Sequence, residues 1–416
     1  MTEKEDILSP SQRALLVGLD TGKDDTESLI CELESLAKTA GIDTVSATVQ
    51  RKNEPDPATF VGSGFLKDIA DFCKNNQIDT VIFDDELTPV QQKNIEKITE
   101  ARVIDRTALI LDIFAERAAS HEGRLQVELA RCKYSLARLA GGSTGLSRQG
   151  GAGHLRGSGE SKLETDRRYV RRRISTLERR IKELDSRRTL IRERRRKNRI
   201  QTVAIVGYTN AGKSTLMNLM TNAGVLCEDK LFATLDPTAR ALNLSDGRTV
   251  MLVDTVGLIR KLPHHLVEAF RSTLKEAAEA DLILNVCDAS SGEYKEHLAV
   301  TEELLDSLGY DGPIVTVMNK CDLLCGNIPL SLSDDKVFIS AAKNTGIPTL
   351  LTAIENKLPR KVLRCKLLIP YSEAGLLDRI RRNGNLHSED YTPEGIKVDC
   401  TADIEFLRPL EKFFID

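Results

Sequence analysis

Short apolar runs alternate with amphipathic stretches through the first hundred residues. The runs are rich in β-branched residues, as buried strands are, and the stretches between them place apolar residues at helical spacing. We predict strands over Ala14 to Leu19, Thr44 to Val49, Thr80 to Phe83 and Val103-Ile104, with helices up to about Ala40, over Leu66 to Asn75 and over Pro89 to Thr99. This alternation favours a small α/β domain with a mainly parallel sheet.

The apolar positions change period in the next hundred residues. Two series step by four and three, which is the seam of a coiled coil, and they predict two long helices packed as an antiparallel hairpin. The series are Leu125, Leu129, Cys132, Leu136, Leu139 and Val170, Ile174, Leu177, Ile181, Leu184, Ile191. The connection from Gly141 to Glu160 has eight Gly among its twenty residues. A structureless loop this long is usually disordered or functional.

A glycine-rich segment follows the apolar run 203–206 and precedes a helix-like stretch. Its sequence, GYTNAGKS, fits the phosphate-loop pattern, in which backbone N–H groups and a helix N-terminus point at a phosphate. The candidate nucleotide-binding residues here are Gly207, Tyr208, Thr209, Asn210, Ala211, Gly212, Lys213, Ser214 and Thr215. We expect Lys213 to reach the β and γ phosphates and Ser214 to bind Mg²⁺.

Two later segments predict which base is bound. Asn319, Lys320 and Asp322 follow an apolar strand candidate, and the Asp322 carboxylate can accept both the N1–H and the N2–H₂ of guanine. Adenine lacks that donor pair, so a site with this acceptor rejects it. The loop Ser340, Ala341, Ala342 follows another strand candidate and fits a backbone contact to guanine O6. Together with the phosphate loop, these motifs predict binding of GTP and GDP.

The segment Asp254 to Gly257 ends a further apolar strand and resembles a nucleotide switch. We expect Asp254 to hold Mg²⁺ through water and the Gly257 N–H to sense the γ-phosphate. Thr234 is our candidate for the threonine that completes the Mg²⁺ shell, and Thr238 is the alternative. The predicted metal ligands are thus Ser214, Thr234 and Asp254, and the residues expected to act in catalysis are Lys213, Thr234 and Gly257.

The residue after Gly257 bears on the rate of hydrolysis. Many GTPases place a Gln there to orient the attacking water, whereas this chain has Leu258. An aliphatic side chain cannot hydrogen-bond water, so we expect slow turnover unless a partner, a cation or the substrate completes the site. Asn210 resembles the Asn of GTPases that recruit K⁺ to the phosphates, and it is equally a residue type suited to a tight turn.

The charge distribution suggests a polyanionic partner. The whole chain carries −3, yet residues 148–199 hold 19 Lys and Arg against 7 Asp and Glu, so this stretch is +12 and the remainder −15. Arg outnumbers Lys here by 16 to 3, and Arg suits phosphate contacts and base stacking. An ordinary solvated coiled-coil face is the alternative. The candidate RNA-binding residues are Arg148, Arg156, Arg171, Arg172, Arg179 and Arg180.

Composition restricts the class of protein further. No apolar region follows the first residues, and no run approaches the length of a membrane span. The nine Cys are scattered and mostly lie in apolar runs, as reduced core residues do. Cys321 and Cys325 lack a second ligand pair at zinc-site spacing. We expect a cytoplasmic monomer without a membrane span.

Over its whole length the chain resembles the HflX family of ribosome-associated GTPases, relatives of the Obg group. The resemblance rests on Phe60-Val61-Gly62-Ser63-Gly64, Asp84-Asp85-Glu86-Leu87-Thr88-Pro89, Leu146-Ser147-Arg148-Gln149-Gly150-Gly151, Arg156-Gly157, Lys162 to Arg168, Phe232 to Thr238 and the Asp254 to Gly257 turn. It implies binding to the large ribosomal subunit, with the hairpin loop near the peptidyl transferase centre, and splitting of stalled ribosomes.

The same resemblance implies four parts of the chain. They are an N-terminal α/β domain (1–108), an antiparallel helical hairpin (109–199) with its Gly-rich basic loop (141–160), a P-loop GTPase domain (200–359) and a short C-terminal α/β domain (360–416). One departure is Phe65, where the family usually has Lys after Gly62-Ser63-Gly64. This weakens the case for a second nucleotide site, and a turn before a helix is the better interpretation of those glycines.

Two other functions fit the same motifs. In a tRNA-modifying GTPase the nucleotide domain gates a separate chemical centre, but the sequence has no recognisable flavin or one-carbon site. In a nucleotide-gated assembly scaffold the hairpin would bind a protein. The salt dependence of binding separates a hairpin that binds RNA from one that binds a protein, because contacts to RNA phosphates weaken steeply as the ionic strength rises.

Overall fold

The computed structural model describes residues 12–22, 25–141, 158–197, 200–221, 231–232, 238–245, 247–255, 257–261, 266, 277–324, 336–359 and 362–415. Within these residues it contains a four-stranded parallel sheet, a helical hairpin, a six-stranded sheet and a second four-stranded sheet. None of the helices in these ranges is long and apolar enough to cross a membrane.

The first sheet has the strand order β2-β1-β3-β4, with every neighbouring pair parallel. Its elements are β1 (Arg13–Asp20), α1 (Thr26–Thr39), β2 (Asp43–Arg51), α2 (Ser63–Asn76), β3 (Thr80–Phe83), α3 (Pro89–Thr99), β4 (Arg102–Asp105) and α4 (Arg106–Arg117). The predicted strands and helices of this region are confirmed to within a few residues at each end.

Local sequence explains where two of these helices begin. Thr88 caps α3 through a reciprocal pair of hydrogen bonds with Gln91, and Pro89 occupies the first helical position, where its missing N–H costs nothing. Gly62 is the N-cap of α2, and its N–H donates to Gln50 Oε1 at 2.8 Å. The interpretation of the glycines as a turn before a helix is therefore confirmed.

Helix α4 packs inside the first core. Leu109, Ile110, Ile113 and Phe114 are buried in one cluster with residues of β1 and α1. We therefore propose that the N-terminal unit extends through Arg117, beyond the end at residue 108 that the resemblance implied. The hairpin then consists of the two long helices that follow.

The hairpin comprises α5 (His121–Gly141) and α6 (Ser158–Lys197). Leu125, Leu129 and Leu177 are buried between the helices, with Cys132, Ile174, Ile181 and Leu184 packed beside them. The predicted seam is thus confirmed over its central part. A second apolar face of α5 was not predicted: Val127, Ala130 and Tyr134 pack against the N-terminal core.

The six-stranded sheet has the order β10-β9-β8-β5-β7-β6, in which only the edge strand β6 is antiparallel to its neighbour. Its elements are β5 (Thr202–Gly207), α7 (Lys213–Thr221), β6 (Thr238–Asn243), β7 (Thr249–Asp254), β8 (Leu282–Asp288), α8 (Tyr294–Ser307), β9 (Ile314–Asn319), β10 (Lys336–Phe338) and α9 (Ile347–Lys357). The candidate site residues lie where β5, β7, β9 and β10 end, which is the edge where ligands bind in such sheets.

The last sheet is antiparallel, with the order β12-β13-β11-β14. Its elements are β11 (Val362–Ile369), α10 (Gly375–Asn383), β12 (Gly384–Thr392), β13 (Gly395–Asp403), α11 (Ile404–Leu407) and β14 (Phe414–Ile415). One face is covered by α10 and the final turns, where Leu377, Ile380, Leu407 and Leu410 are buried. The predicted α/β class is confirmed for the chain as a whole.

Candidate nucleotide site

The turn after β5 has a backbone that requires glycine. Gly207 has φ +145° and Gly212 has φ +89°, values that other residues rarely adopt. A Cβ at Gly207 would overlap the carbonyl oxygen of Val286, and one at Gly212 would overlap the Asn319 amide. Between them, Asn210 is exposed and left-handed, with φ +59°. The loop is therefore shaped by the residues that the phosphate-binding pattern demands.

Lys213 begins α7 and is buried beneath this loop. Its ammonium donates to the carbonyl of Tyr208 at 2.7 Å. Burial lowers the pKa of Lys213 to about 8, and the charge of Asp254 opposes that shift. A buried cation held by a single carbonyl can turn toward an incoming phosphate, so the geometry fits the role expected for this lysine.

The next residue points at the end of β7. The Ser214 hydroxyl donates to Asp254 Oδ2 at 2.9 Å, and the Asp254 side chain is 0% exposed. A fully buried carboxylate needs positive charge nearby, and hydroxyl and carboxylate oxygens are ligands that Mg²⁺ prefers. These two side chains therefore fit a divalent metal that would neutralise phosphate charge. Thr215 follows on α7, half-buried.

The end of β9 connects the phosphate loop to the guanine loops. The Asn319 amide nitrogen donates to the Ala211 carbonyl at 2.8 Å, and its oxygen accepts from the Ala341 N–H at 3.0 Å. The Ser340 hydroxyl donates to Asp322 Oδ1 at 2.6 Å and thereby lowers the pKa of that carboxyl group. Asp322 is thus fixed in its ionised form as an acceptor, as guanine recognition needs.

The remaining residues of these loops differ in exposure. Lys320 has φ +61°, and its ammonium pairs with Asp288 at 2.8 Å. Ala341 is buried, whereas Ala342 is exposed. The structure therefore brings the three motifs together at one edge of the sheet, although the phosphate loop lies more than a hundred residues before the two guanine loops in sequence.

The segment after β7 lies directly on the phosphate loop. Thr209 N–H donates to the Leu258 carbonyl at 2.7 Å, and Leu258 N–H donates to the Gly207 carbonyl at 3.1 Å. A Cβ at Gly257 would lie 3.1 Å from the Lys213 ammonium. Gly257 is therefore close enough to sense a phosphate held by that lysine. Leu258 itself is buried in an apolar cluster and offers no group to orient water.

Of the two threonines that could complete the Mg²⁺ shell, only Thr238 lies within the described residues. Thr234 lies outside the described residues. Thr238 begins β6 opposite Asp254, and its hydroxyl donates to the sulfur of Met217 at 3.5 Å. That contact turns the Thr238 hydroxyl toward the core of α7, so the geometry gives no support to the alternative.

The N-terminal unit covers one side of this site. Tyr208, Leu231, Phe232, Leu258 and Ile259 are buried in the same cluster as α1 and α4. The Phe232 ring packs edge-on against the ring of α4's Phe114, with centroids 4.6 Å apart. The residues flanking the candidate switch regions therefore form part of the N-terminal core.

Charged groups cross the same interface. The Arg106 guanidinium, 2% exposed, bonds Asp84 at 2.7 Å and also bonds Glu32. Glu32 in turn accepts from the Tyr208 hydroxyl, which accepts from the Arg260 N–H at 2.8 Å. Burial lowers the pKa of Arg106 to about 10, so it remains charged at neutral pH.

Lys261 extends this network. Its ammonium pairs with Asp84 at 2.9 Å and with Asp85 at 2.8 Å. Burial alone would lower the pKa of Lys261, but the two carboxylates outweigh it and raise that pKa. No sequence motif predicted a role for Arg106, Lys261 or Glu32. The acidic pair at the end of buried β3 was an indication of a site there, since side chains at that position lie at the carboxyl edge of the sheet.

The candidate RNA-binding arginines fall into two groups. Arg148 and Arg156 lie outside the described residues. Those on α6 are all exposed, namely Arg171, Arg172, Arg179 and Arg180. Other charges hold the hairpin together: Arg173 pairs with Glu128 at 2.5 Å, and Arg188 pairs with Glu122 at 3.1 Å. The exposed group is therefore distinct from the arginines that join the two helices.

Three family comparisons cover most of the chain. Residues 27–115 match the family described as GTP-binding GTPase N-terminal, residues 117–195 the GTP-binding GTPase Middle Region, and residues 202–320 the 50S ribosome-binding GTPase family. Among solved structures, a GTP-binding protein of Sulfolobus solfataricus in complex with GDP is 26% identical, with a TM-score of 0.45. The match covers 83% of this chain and 98% of that one.

Full-length relatives are closer in sequence. GTPase HflX of Caldanaerobacter subterraneus subsp. tengcongensis is 46% identical over 412 residues, which cover 99% of this chain and 96% of that protein. GTPase HflX of Escherichia coli K12 is 41% identical over 380 residues, which cover 90% and 89%. Because these matches span nearly the whole chain and the nucleotide motifs meet at one edge of the sheet, the chain is a GTPase that belongs to the HflX family.

Proposed function

We propose that this GTPase binds the large ribosomal subunit through its hairpin and splits stalled ribosomes when GTP is bound. The observation that carries the proposal is the set of four exposed arginines on α6, within a stretch of net charge +12. A dense row of cations suits the phosphates of ribosomal RNA. The description of the family matched by residues 202–320, a 50S ribosome-binding GTPase, agrees with this partner.

The hairpin is attached to the part of the molecule that touches the nucleotide site. The Tyr134 hydroxyl on α5 bonds the Asp105 carboxylate at 2.9 Å, and Arg138 pairs with the same carboxylate at 3.1 Å. Asp105 also caps α4 through the Ala108 N–H at 2.8 Å, and α4 carries the Phe114 that packs on Phe232. This continuous set of contacts supports coupling between ribosome binding and nucleotide state.

The buried Leu258 supports a low intrinsic rate. We propose that the ribosome accelerates hydrolysis by changing how Phe232 and Leu258 pack against the N-terminal core. We also propose that Mg²⁺ would be held by Ser214 and, through water, by Asp254, with Thr234 completing its shell. A K⁺ ion at Asn210 is part of the same proposal. Turnover should then be faster in K⁺ than in Na⁺, and equal rates would leave Asn210 as a turn residue only.

A splitting assay tests the role of the hairpin loop. Deleting Gly145 to Gly159 should abolish dissociation of ribosomes into subunits, yet leave GTP binding unchanged, because the six-stranded sheet has its own core. A matched variant, Arg148→Gln with Arg156→Gln, keeps the loop length and removes two charges. Splitting by the deletion variant at the full-length rate would show that the loop is passive.

The arginines of α6 need a separate test. Changing Arg171, Arg172, Arg179 and Arg180 to Gln should weaken binding to large subunits. The fall of log affinity with log salt should also become less steep, by about 3. The matched control changes the same four residues to Lys, which keeps the charge and should keep most of that slope. An unchanged slope in the Gln variant would contradict an RNA-binding role for this face.

A further inference from the structure

Two cysteines face each other across the C-terminal sheet. Strands β11 and β13 run antiparallel, and their register places Cys365 directly opposite Cys400. Residues opposed in this way point to the same face of a sheet. Their sulfur atoms lie 4.0 Å apart, and both thiols are free of any disulfide.

The backbone already has the spacing that a disulfide needs. Opposed residues of antiparallel strands have Cα atoms about 4.5–5.5 Å apart, whereas disulfides span about 4.4–6.8 Å between Cα atoms. Closing the bond therefore requires the two sulfur atoms to approach, without any change in strand register. The pair is a direct neighbour in the fold and does not depend on a rearrangement of the domain.

The two thiols differ in access. Cys400 is fully buried in the core of the sheet, whereas Cys365 is half-buried. Cys365 lines an open cavity of about 460 Å³ together with Lys366, Asp399, Phe414 and Ile415. A small oxidant can therefore reach Cys365 from this cavity, which Cys400 does not line.

The thiols also differ in acidity. The hydrogen bond between them lowers the pKa of Cys365 against the opposing effect of burial. The same bond, together with burial, raises the pKa of Cys400. The thiolate, which is the reactive form, is thus favoured on the sulfur that faces the cavity.

We propose that Cys365 and Cys400 form a reversible redox pair, in which a hydroperoxide oxidises Cys365 first and Cys400 then closes the disulfide. In the first step the Cys365 thiolate attacks a peroxide oxygen, the O–O bond breaks, and hydroxide or alkoxide leaves with the proton lost by the thiol. Cys365 becomes a sulfenic acid. The Cys400 sulfur then attacks it, the S–O bond breaks, and water leaves with the Cys400 proton. The two sulfurs lose two electrons, which the peroxide gains.

Thiol–disulfide exchange reopens a disulfide when a thiolate can reach one of its sulfur atoms. Cys365 lines the open cavity, so reduced glutathione should reopen this disulfide. In a reducing compartment such pairs are transient and sense oxidants.

Thiol mapping of the full-length protein tests the proposal. The reduced protein is treated with hydrogen peroxide, denatured with iodoacetamide to block free thiols, and digested for mass spectrometry. We expect a peptide that joins the Cys365 and Cys400 segments, in the wild type and in a Cys31→Ser control, whose changed cysteine is exposed on α1. The joined peptide should disappear after incubation with reduced glutathione.

A variant separates the two steps. In Cys400→Ser the resolving thiol is gone, so a sulfenic acid should persist at Cys365 and be captured by dimedone, while the wild type shows little adduct. The proposal is overturned if Cys365 and Cys400 are both still alkylated by iodoacetamide after a peroxide treatment that has oxidised Cys31 in the same wild-type protein. It is also overturned if Cys365 proceeds to sulfinic acid without a cross-link, or if the cross-link joins it to a different cysteine.

Discussion

The Asn319 side chain donates to the Ala211 carbonyl at 2.8 Å and so ties the guanine-binding strand end to the phosphate loop. Its oxygen accepts the Ala341 N–H, which adds the third loop of the site to the same side chain. Asn319 is 2% exposed, so water cannot replace either bond. One amide therefore sets the relative position of the base and phosphate halves of the site.

Replacing the Asn319 amide should weaken the binding of GTP and of GDP to the same extent. Asn319→Ala leaves a buried donor and a buried acceptor without partners, which should lower the free energy of unfolding by about 1–3 kcal/mol. Affinity for GTP and GDP should fall together, because both need the same loop spacing. Calorimetric titration checks this, and a loss confined to GTP would contradict a positioning role.

Asp322 gives the contrasting prediction. Asp322→Asn should lose affinity for GTP and gain affinity for xanthosine triphosphate, because an amide can donate where the carboxylate accepted. The free energy of unfolding should change less than in Asn319→Ala, since the amide oxygen of the new side chain can still accept the Ser340 hydroxyl. Competition binding with the two nucleotides provides the measurement. Retained preference for GTP would remove Asp322 from the base site.

Arg106 bonds carboxylates of the N-terminal unit, so replacing it should lower the free energy of unfolding. Arg106→Ala removes the 2.7 Å bond to the buried Asp84, which keeps its 2.9 Å pair with Lys261. Removing one partner of a buried ion pair costs about 3–5 kcal/mol when the other charge is left uncompensated, so we expect a cost toward the lower end of that range. The matched control is Arg131→Ala, which removes a bond of the same length to Asp112 in an exposed pair. Such pairs contribute about 0–1 kcal/mol.

Chemical denaturation of the two variants compares these costs. The Arg106 variant should unfold at a clearly lower denaturant concentration, whereas the Arg131 variant should behave like the wild type. Equal shifts would mean that the charges around Arg106 are compensated by other groups. Because Arg106 also bonds the Arg260 carbonyl, its variant should in addition show altered GTP turnover.

Local patterns were enough to predict most of the strands and helices. Alternation of apolar runs gave the parallel sheet, and the Thr88-Pro89 pair marked the start of α3. The same patterns did not predict β6, because its sequence TARALN has few apolar residues and lies at the edge of its sheet. No strand of the C-terminal sheet was predicted, and its edge strand β12 is polar in the same way.

The nucleotide residues were predictable because phosphate and guanine chemistry dictate short motifs. The interface between the nucleotide site and the N-terminal unit could not be predicted in this way. Tyr208 was assigned to the phosphate loop by its position, but its hydroxyl bonds Glu32, 176 residues earlier in the chain. No periodicity in the sequence reports a contact between elements so distant, and a single sequence carries only the local part of such an interface.

We expect GTP to switch the protein onto the large ribosomal subunit. Cosedimentation with purified subunits, in a non-hydrolysable GTP analogue and in GDP, tests it most directly. We expect binding to the large subunit in the analogue and release in GDP, and by linkage the large subunit must then tighten binding of the analogue. Equal sedimentation with both nucleotides, or binding only to the small subunit, would contradict the account.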